Sequence, residues 1–313
     1  MSGWRITFRS AIIKPFLIIL ILTTILSDSV AKASEDLVIP LKLIHALPVE
    51  GPENNQPSGL TIWHDTLFAV SDKHDDTIFR VALTDTNAVF VPHLTFAIPE
   101  SAPGLRLDFE GIACDAQGAF YLVSETAFRI LRVSADGADA SWITPSLRSY
   151  GEQEGLFQTR GAYLEGIALL GPDLFLVCAE RQPRGLIEVD RSVEPFAVRV
   201  FNTDETSLNL PAGRSADFSD LFRENGDLLV LQRNAEIISS LIYGGPVLEE
   251  KDLWSFGHIV NREDLRYSNI KYGLAEGFCM DAKRIYLILD NNGDCRASDP
   301  DDRRPLFLIM ERP

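Results

Sequence analysis

The chain has 313 residues, 46% of them hydrophobic, and a formal net charge of −16 at pH 7. A chain this acidic does not hold nucleic acid through bulk charge, and an anionic ligand needs a local reversal of field by a metal or by Arg and Lys. The four cysteines form no Cys-x-x-Cys or Cys/His cluster, which argues against zinc.

Arg5, Arg9 and Lys14 precede an apolar run from Phe16 to Leu26, and Ala31-Lys32-Ala33 supplies small residues for cleavage. Residues 1–33 therefore read as a signal peptide cut near Ala33, and the protein as periplasmic or secreted. The apolar run is short of the ~20 residues of a membrane span. No later segment is apolar enough, so no stable membrane span is expected after cleavage. Loss of four basic residues and Asp28 takes the remaining 34–313 segment to −19. A single domain and a monomer are expected there. Export permits disulfides. Cys279 and Cys295 are close enough to close a hairpin, whereas Cys114 and Cys178 lie in apolar strands.

From residue 58 onward one unit recurs. Ser58-Gly59, Glu110-Gly111, Glu165-Gly166, Asp217-Phe218 and Glu276-Gly277 each open an apolar stretch, at steps of 52, 55, 52 and 59 residues. In the second unit Gly111 to Cys114 leads through the turn Asp115-Ala116-Gln117-Gly118 to the strand Ala119 to Ser124. Arg129 to Val133 follows, then a weaker strand around Trp142. The other units repeat this order, as in Leu174 to Cys178 with Gly185 to Val189, or Arg284 to Leu289 with Leu306 to Met310. Four short strands per repeat of this length predict an all-β chain, a β-propeller of five blades with four antiparallel strands each. The alternative is six, with a degenerate blade inside residues 190–270, where Asn261 to Lys271 is expected to carry a helical turn. The last unit lacks an outer strand. An N-terminal strand within Leu37 to Leu47 is expected to close that last blade and so remove an exposed edge.

In a propeller the first strand of each blade lines the central channel. Ser58, Glu110, Glu165, Asp217 and Glu276 should then meet at one mouth. A hairpin returns a second set 14–16 residues later: Asp72, Glu125, Glu180, Arg233 and Asp290. Converging carboxylates repel unless a cation or protons sit among them. Oxygen ligands without thiolate or clustered imidazole suit a hard cation, Ca²⁺ best. Candidate metal ligands are thus Glu110, Glu165, Asp217, Glu276, Asp72, Glu125, Glu180 and Asp290, with Asn291 from the oxygen-rich run Asp290 to Asp294. Lys73, Arg160, Arg181, Arg214, Arg233 and Lys271 lie in the same loops. They either neutralise the ring or hold a small anionic ligand such as a phosphate ester. His74, Arg181 and Arg233 are the candidate catalytic residues. No Gly-x-Ser-x-Gly nucleophile elbow is present.

Several stretches resemble one family. Ser58-Gly59-Leu60 with Val70-Ser71-Asp72 is similar to its first blade. Asp217-Phe218-Ser219-Asp220-Leu221 with Gly226 to Arg233 is similar to its fourth. Leu274 to Phe278, Tyr286 to Asn292 and Leu306-Phe307-Leu308 resemble its last. This is the phytase-like family, also called "esterase-like activity of phytase", and the likeness covers roughly residues 55–312. It implies a calcium-associated β-propeller and a phosphomonoester hydrolase. The sequence departs from the family's pattern at Gln232-Arg233 and at Gly293-Asp294-Cys295. Two rival readings are a non-catalytic propeller that binds a ligand or protein, and a lactonase-like hydrolase using calcium to polarise a carbonyl.

Overall fold

The computed structural model describes Met1 and residues 38–99, 106–244, 248–269 and 274–313. The chain divides into two units, 1–38 and 39–313. Apart from Met1, the expected signal peptide lies outside the described residues, as do Leu37 and Lys271. Among the described residues no helix is long and apolar enough to cross a membrane.

The regular structure of the second unit is almost all strand. β1 (Ile39–Pro40) and β2 (Lys42–Glu50) precede the repeats. The first repeat contains β3 (Pro57–Trp63), β4 (Thr66–Ser71), β5 (Thr77–Leu83) and β6 (Ala88–Thr95). The second contains β7 (Phe109–Cys114), β8 (Phe120–Ser124), β9 (Arg129–Val133) and β10 (Ala140–Trp142), followed by helix α1 (Arg148–Gln153). The third is β11 (Leu164–Gly171), β12 (Leu174–Ala179), β13 (Arg184–Asp190) and β14 (Ala197–Thr203). The fourth is β15 (Asp220–Glu224), β16 (Asp227–Gln232), β17 (Ile237–Ile242) and β18 (Glu249–Ser255), then helix α2 (Gly257–Val260). The fifth supplies β19 (Ala275–Met280), β20 (Arg284–Leu289) and β21 (Leu306–Glu311).

Each repeat forms an antiparallel meander in sequence order. β2 lies antiparallel beside β21 and then pairs in parallel with β6, joining the fifth and first repeats in one eight-stranded sheet. β1 pairs in parallel with β18 of the fourth repeat. The N-terminal segment therefore touches three repeats and covers three strand edges. The described residues between 191 and 269 contain β14 to β18 and α2, joined by turns and loops. The helical turn expected over 261–271 is not formed among the described residues of that span, which are turns and a bridge; the short helix Gly257–Val260 ends just before it.

Alternating strand residues point to opposite faces, so each sheet buries both faces against its neighbours. Phe68, Phe120 and Leu122 pack between the first and second repeats. Val123, Ile130, Ile167 and Val177 pack between the second and third. Cys178, Phe218 and Val230 fill the next gap, and Leu231, Phe278 and Leu287 the one after. Cys279 lies in the core between the fifth and first repeats, with Phe79 and Phe307. Its thiol is therefore committed to packing. Cys295 lies elsewhere, its Sγ 3.3 Å from Ser268 Oγ. All four cysteines are free, so the Cys279–Cys295 bridge that their spacing allows is not formed.

The hairpin turns are set by local carboxylates. Asp115 accepts the Gln117 and Ala119 N–H groups and the Tyr121 hydroxyl. Asp281 does the same for Lys283, Arg284 and Tyr286. Such Asx contacts reverse the chain without glycine at each corner.

One buried ion pair ties the third repeat to the fourth. Arg184 is fully buried, its Nη2 2.7 Å from Glu250 Oε1, and its guanidinium lies 4.4 Å from the Phe218 ring centre. Thr206 and Ser207 donate to the same Glu250 carboxylate. Removing one partner leaves a buried charge uncompensated. Glu250→Gln is expected to cost about 3 kcal/mol, whereas Arg184→Met with Glu250→Leu costs far less. Urea unfolding of the two variants checks this.

Candidate carboxylate site at the channel mouth

The recurring Glu-Gly pair has a local cause. The β3–β4, β7–β8, β11–β12 and β19–β20 ladders each slip register at this pair. A bulge re-aims the side chain that it displaces. Here it turns Glu110, Glu165 and Glu276 toward the channel, with Ser58 in the equivalent place. The glycine is required because neighbouring first strands nearly touch. A Cβ on Gly111 would lie 2.6 Å from the Glu165 carbonyl oxygen, and one on Gly277 2.5 Å from that of Ser58. The fourth repeat solves the same problem differently. Asp220 is fully buried, packs against Gly166, and accepts the Leu221 and Phe278 N–H groups.

These residues line a cavity of about 190 Å³. Its walls include Ser58, Asp72, Glu110, Glu125, Glu165, Glu180, Arg233, Glu276, Asp290 and Asn292. Asp217 is not on its wall but lies behind it, fully buried, and accepts the Asn234 N–H. Arg233 divides the ring. Its guanidinium pairs with Glu165 at 3.4 Å and Asp217 at 3.3 Å, and contacts Glu180 and Glu276 more closely. Arg181 also pairs with Glu180. Burial opposes the Arg233 charge, but Glu276, Glu165 and Asp217 outweigh it and hold the group protonated. On this side the counter-charge to the carboxylates is a side chain.

The other side is arranged differently. One carboxylate oxygen each from Asp72, Asp108 and Glu110 lie within 4.8 Å of one another, and the three could hold a metal ion. Lys73 pairs with one oxygen of Asp72. The other, Oδ1, is buried and has no hydrogen-bond partner. Three converging carboxylates, one of them with an unpartnered buried oxygen, are a donor set suited to a hard cation. Burial pushes Asp72 and Asp108 above the usual carboxylate range, and Asp108 is raised further by Asp72. Burial pushes Glu110 well above it, with Glu276 and Asp108 adding to the effect. Glu165 is also well above it, through burial that Arg233 offsets only in part.

The remaining predicted residues are spread along the rim. Asn291 uses its amide to brace the 291–304 loop, donating to the carbonyls of Asp294 and Arg303. It is Asn292 that reaches the acidic cavity. His74 lies in an adjoining cleft of about 890 Å³ with Lys73, Arg106, Arg303 and Arg304, its Nε2 3.3 Å from the Glu53 carbonyl. Arg214 pairs with Glu236, and Arg160 is exposed. Three residues escaped the periodic reading: Asp108, Asp220 and Arg106. Arg106 donates to the Asp72 carbonyl at 2.6 Å.

The titration of the mouth has a sign. Burial, with Asp108 nearby, raises Glu125 to about 7, and burial with Glu276 nearby raises Asp290 to about 7. Burial raises Asp217 to about 6 despite Arg233. Unfolded carboxylates titrate near 4. Between about pH 4 and 7 the native state therefore binds more protons than the unfolded one, and stability falls as pH rises. In EDTA the protein is expected to melt higher at pH 5 than at pH 8, as read by calorimetry. A higher melting temperature at pH 8 would contradict this.

Among solved structures, the glutaminyl cyclase of Myxococcus xanthus aligns over 88% of this chain and 97% of its own, at 12% identity and a TM-score of 0.52. The PQQ-bound aldose sugar dehydrogenase of Streptomyces coelicolor aligns over 87% and 98%, at 13% identity and 0.47. An inactive virginiamycin B lyase from Staphylococcus aureus aligns over 83% and 67%, at 13% identity and 0.41. All three are β-propeller proteins. At such identity the first supports a propeller-like fold alone, and the other two add no argument. A search of curated proteins found no match. Residues 56–237 match the family described as "Phytase-like: Esterase-like activity of phytase". With more than half its length matched, the chain belongs to the phytase-like family.

Proposed function

We propose that the protein is an exported five-bladed propeller that binds calcium at its acidic mouth and hydrolyses phosphate monoesters there. Five four-stranded meanders, with first strands in contact in the order β3, β7, β11, β15, β19 and back to β3, support the count. The pairing of β2 with β21 supports closure by the N-terminal strand. The basic, apolar and small-residue pattern of residues 1–33 supports export.

The observation that carries the reading is the junction of two unlike surfaces at Asp72-Lys73. On one side lie Asp72, Asp108 and Glu110, with the orphaned Asp72 oxygen. On the other lies the cleft with Lys73, His74, Arg106 and Arg303. Asp72, Asp108 and Glu110 would hold the ion, and calcium bound there supplies a Lewis acid for a phosphoryl oxygen. Lys73 and Arg106 orient the phosphate by charge-assisted hydrogen bonds. A solvent water attacks phosphorus as the ester P–O bond breaks; His74, in the cleft, gives its proton to the departing alcohol oxygen and regains one from the water. Arg233 holds the far carboxylates in place and takes no part in the transfer.

Phosphate release from p-nitrophenyl phosphate, with calcium and with EDTA, tests this. Activity in calcium, lost in EDTA and lowered about 10²-fold or more by His74→Ala, is expected. The Arg233-centred pairing favours the second reading, a binding propeller whose mouth is structural. That reading predicts calcium uptake but no hydrolysis of the phosphate ester or of a lactone.

A further inference from the structure

Asp108 has no acidic counterpart in the other repeats, where Gln56, Tyr163, Ser215 and Leu274 stand two residues before the phase position. Its φ is +54°, in the left-handed region that Asp tolerates better than most residues. Such a conformation persists where surrounding bonds over-determine it. Those bonds are present on both sides of the segment. The Asp75 carboxylate accepts the Leu107 N–H at 2.8 Å and the Asp108 N–H at 3.0 Å. The Ser124 hydroxyl donates to the Leu107 carbonyl, and the Thr126 hydroxyl to that of Arg106 at 2.5 Å. The Glu125 N–H donates to the Asp108 carbonyl at 2.9 Å.

Asp75 belongs to the turn between β4 and β5, three residues after Asp72, so its two bonds cross from the first repeat to the second. One turn thus does two things. Asp72 contributes a carboxylate to the acidic triad, and Asp75 fixes the backbone that brings Asp108 to it.

We propose that Asp75 is a positioning residue for cation binding, acting through Asp108. This rests on the reading that Asp72, Asp108 and Glu110 hold calcium. Partners that orient metal ligands are worth about 10–100-fold in affinity.

The test is calcium titration calorimetry on the full chain: wild type, Asp75→Asn, Asp108→Asn and the double variant, each checked for folding by circular dichroism. Asp75→Asn is expected to weaken binding about 10–100-fold. In the Asp108→Asn background the same change should cost less than about threefold, because the residue it acts through is already disabled. Asp75→Ser keeps a hydroxyl acceptor and carries the same comparison should Asp75→Asn be recovered unfolded. Wild-type affinity in the Asp75 variants, or an equal loss in both backgrounds, overturns the positioning role alone. A wild-type protein that takes up no calcium overturns the metal reading and this role with it.

Discussion

Arg233→Met is expected to destabilise the protein by about 3–5 kcal/mol at pH 8, because it leaves buried carboxylates without their counter-charge. Glu165, Asp217, Glu180 and Glu276 all pair with this one guanidinium. Domains of ordinary stability hold about 5–15 kcal/mol in total, so the loss is a large share. It corresponds to a melting temperature lower by on the order of 10 °C. The effect has a pH signature. Burial already raises Asp217 to about 6 and holds Glu165 well above its usual range with Arg233 present. Without Arg233 both rise further, and the native state takes up protons. The deficit is therefore largest above those values and shrinks as pH falls through them. Urea unfolding at pH 5 and pH 8 measures it. A deficit of equal size at both would mean that lost packing, not lost charge, is responsible.

On the proposed calcium site, Glu110→Gln is expected to remove most of the stabilisation by calcium. At calcium 100-fold above its Kd, wild type gains about 2.7 kcal/mol. That is a rise of roughly 5–10 °C for a domain of this size. The gain should be larger at pH 8 than at pH 5.5, since burial and neighbouring carboxylates raise Glu110 and a protonated carboxylate does not bind a cation. Thermal unfolding across a calcium titration, reversed by EDTA, follows it. Equal calcium shifts in the variant and wild type would remove Glu110 from the site.

What the sequence disclosed depended on whether a residue served a repeated purpose. The Glu-Gly pairs recur because the second, third and fifth repeats each place a bulge at the mouth and a strand without Cβ beside its neighbour. That requirement is periodic, so it was legible. Asp108 serves one repeat only, and its position is set by a left-handed backbone that no pattern announces. Asp220 occupies a place where other repeats bring backbones together, so its buried role in accepting the Phe278 N–H is visible only in three dimensions. Arg233 stood out as the basic member of a mostly acidic set, but sequence could not tell a phosphate contact from a counter-ion. Four carboxylates around its guanidinium make it the latter. Cys279 and Cys295 illustrate the opposite error. Their nearness in sequence suggested a bridge, while alternation along β19 sends Cys279 into the core between the fifth and first repeats.

The proposed mouth holds two separate charge balances, a guanidinium on one side and a cation on the other. Diffraction from crystals grown with a terbium substitute for calcium tests it most directly. An anomalous peak bounded by Asp72, Asp108 and Glu110 is expected, with Arg233 still paired to Glu165, Glu180, Asp217 and Glu276. A peak among those four residues, with Arg233 displaced, would contradict it.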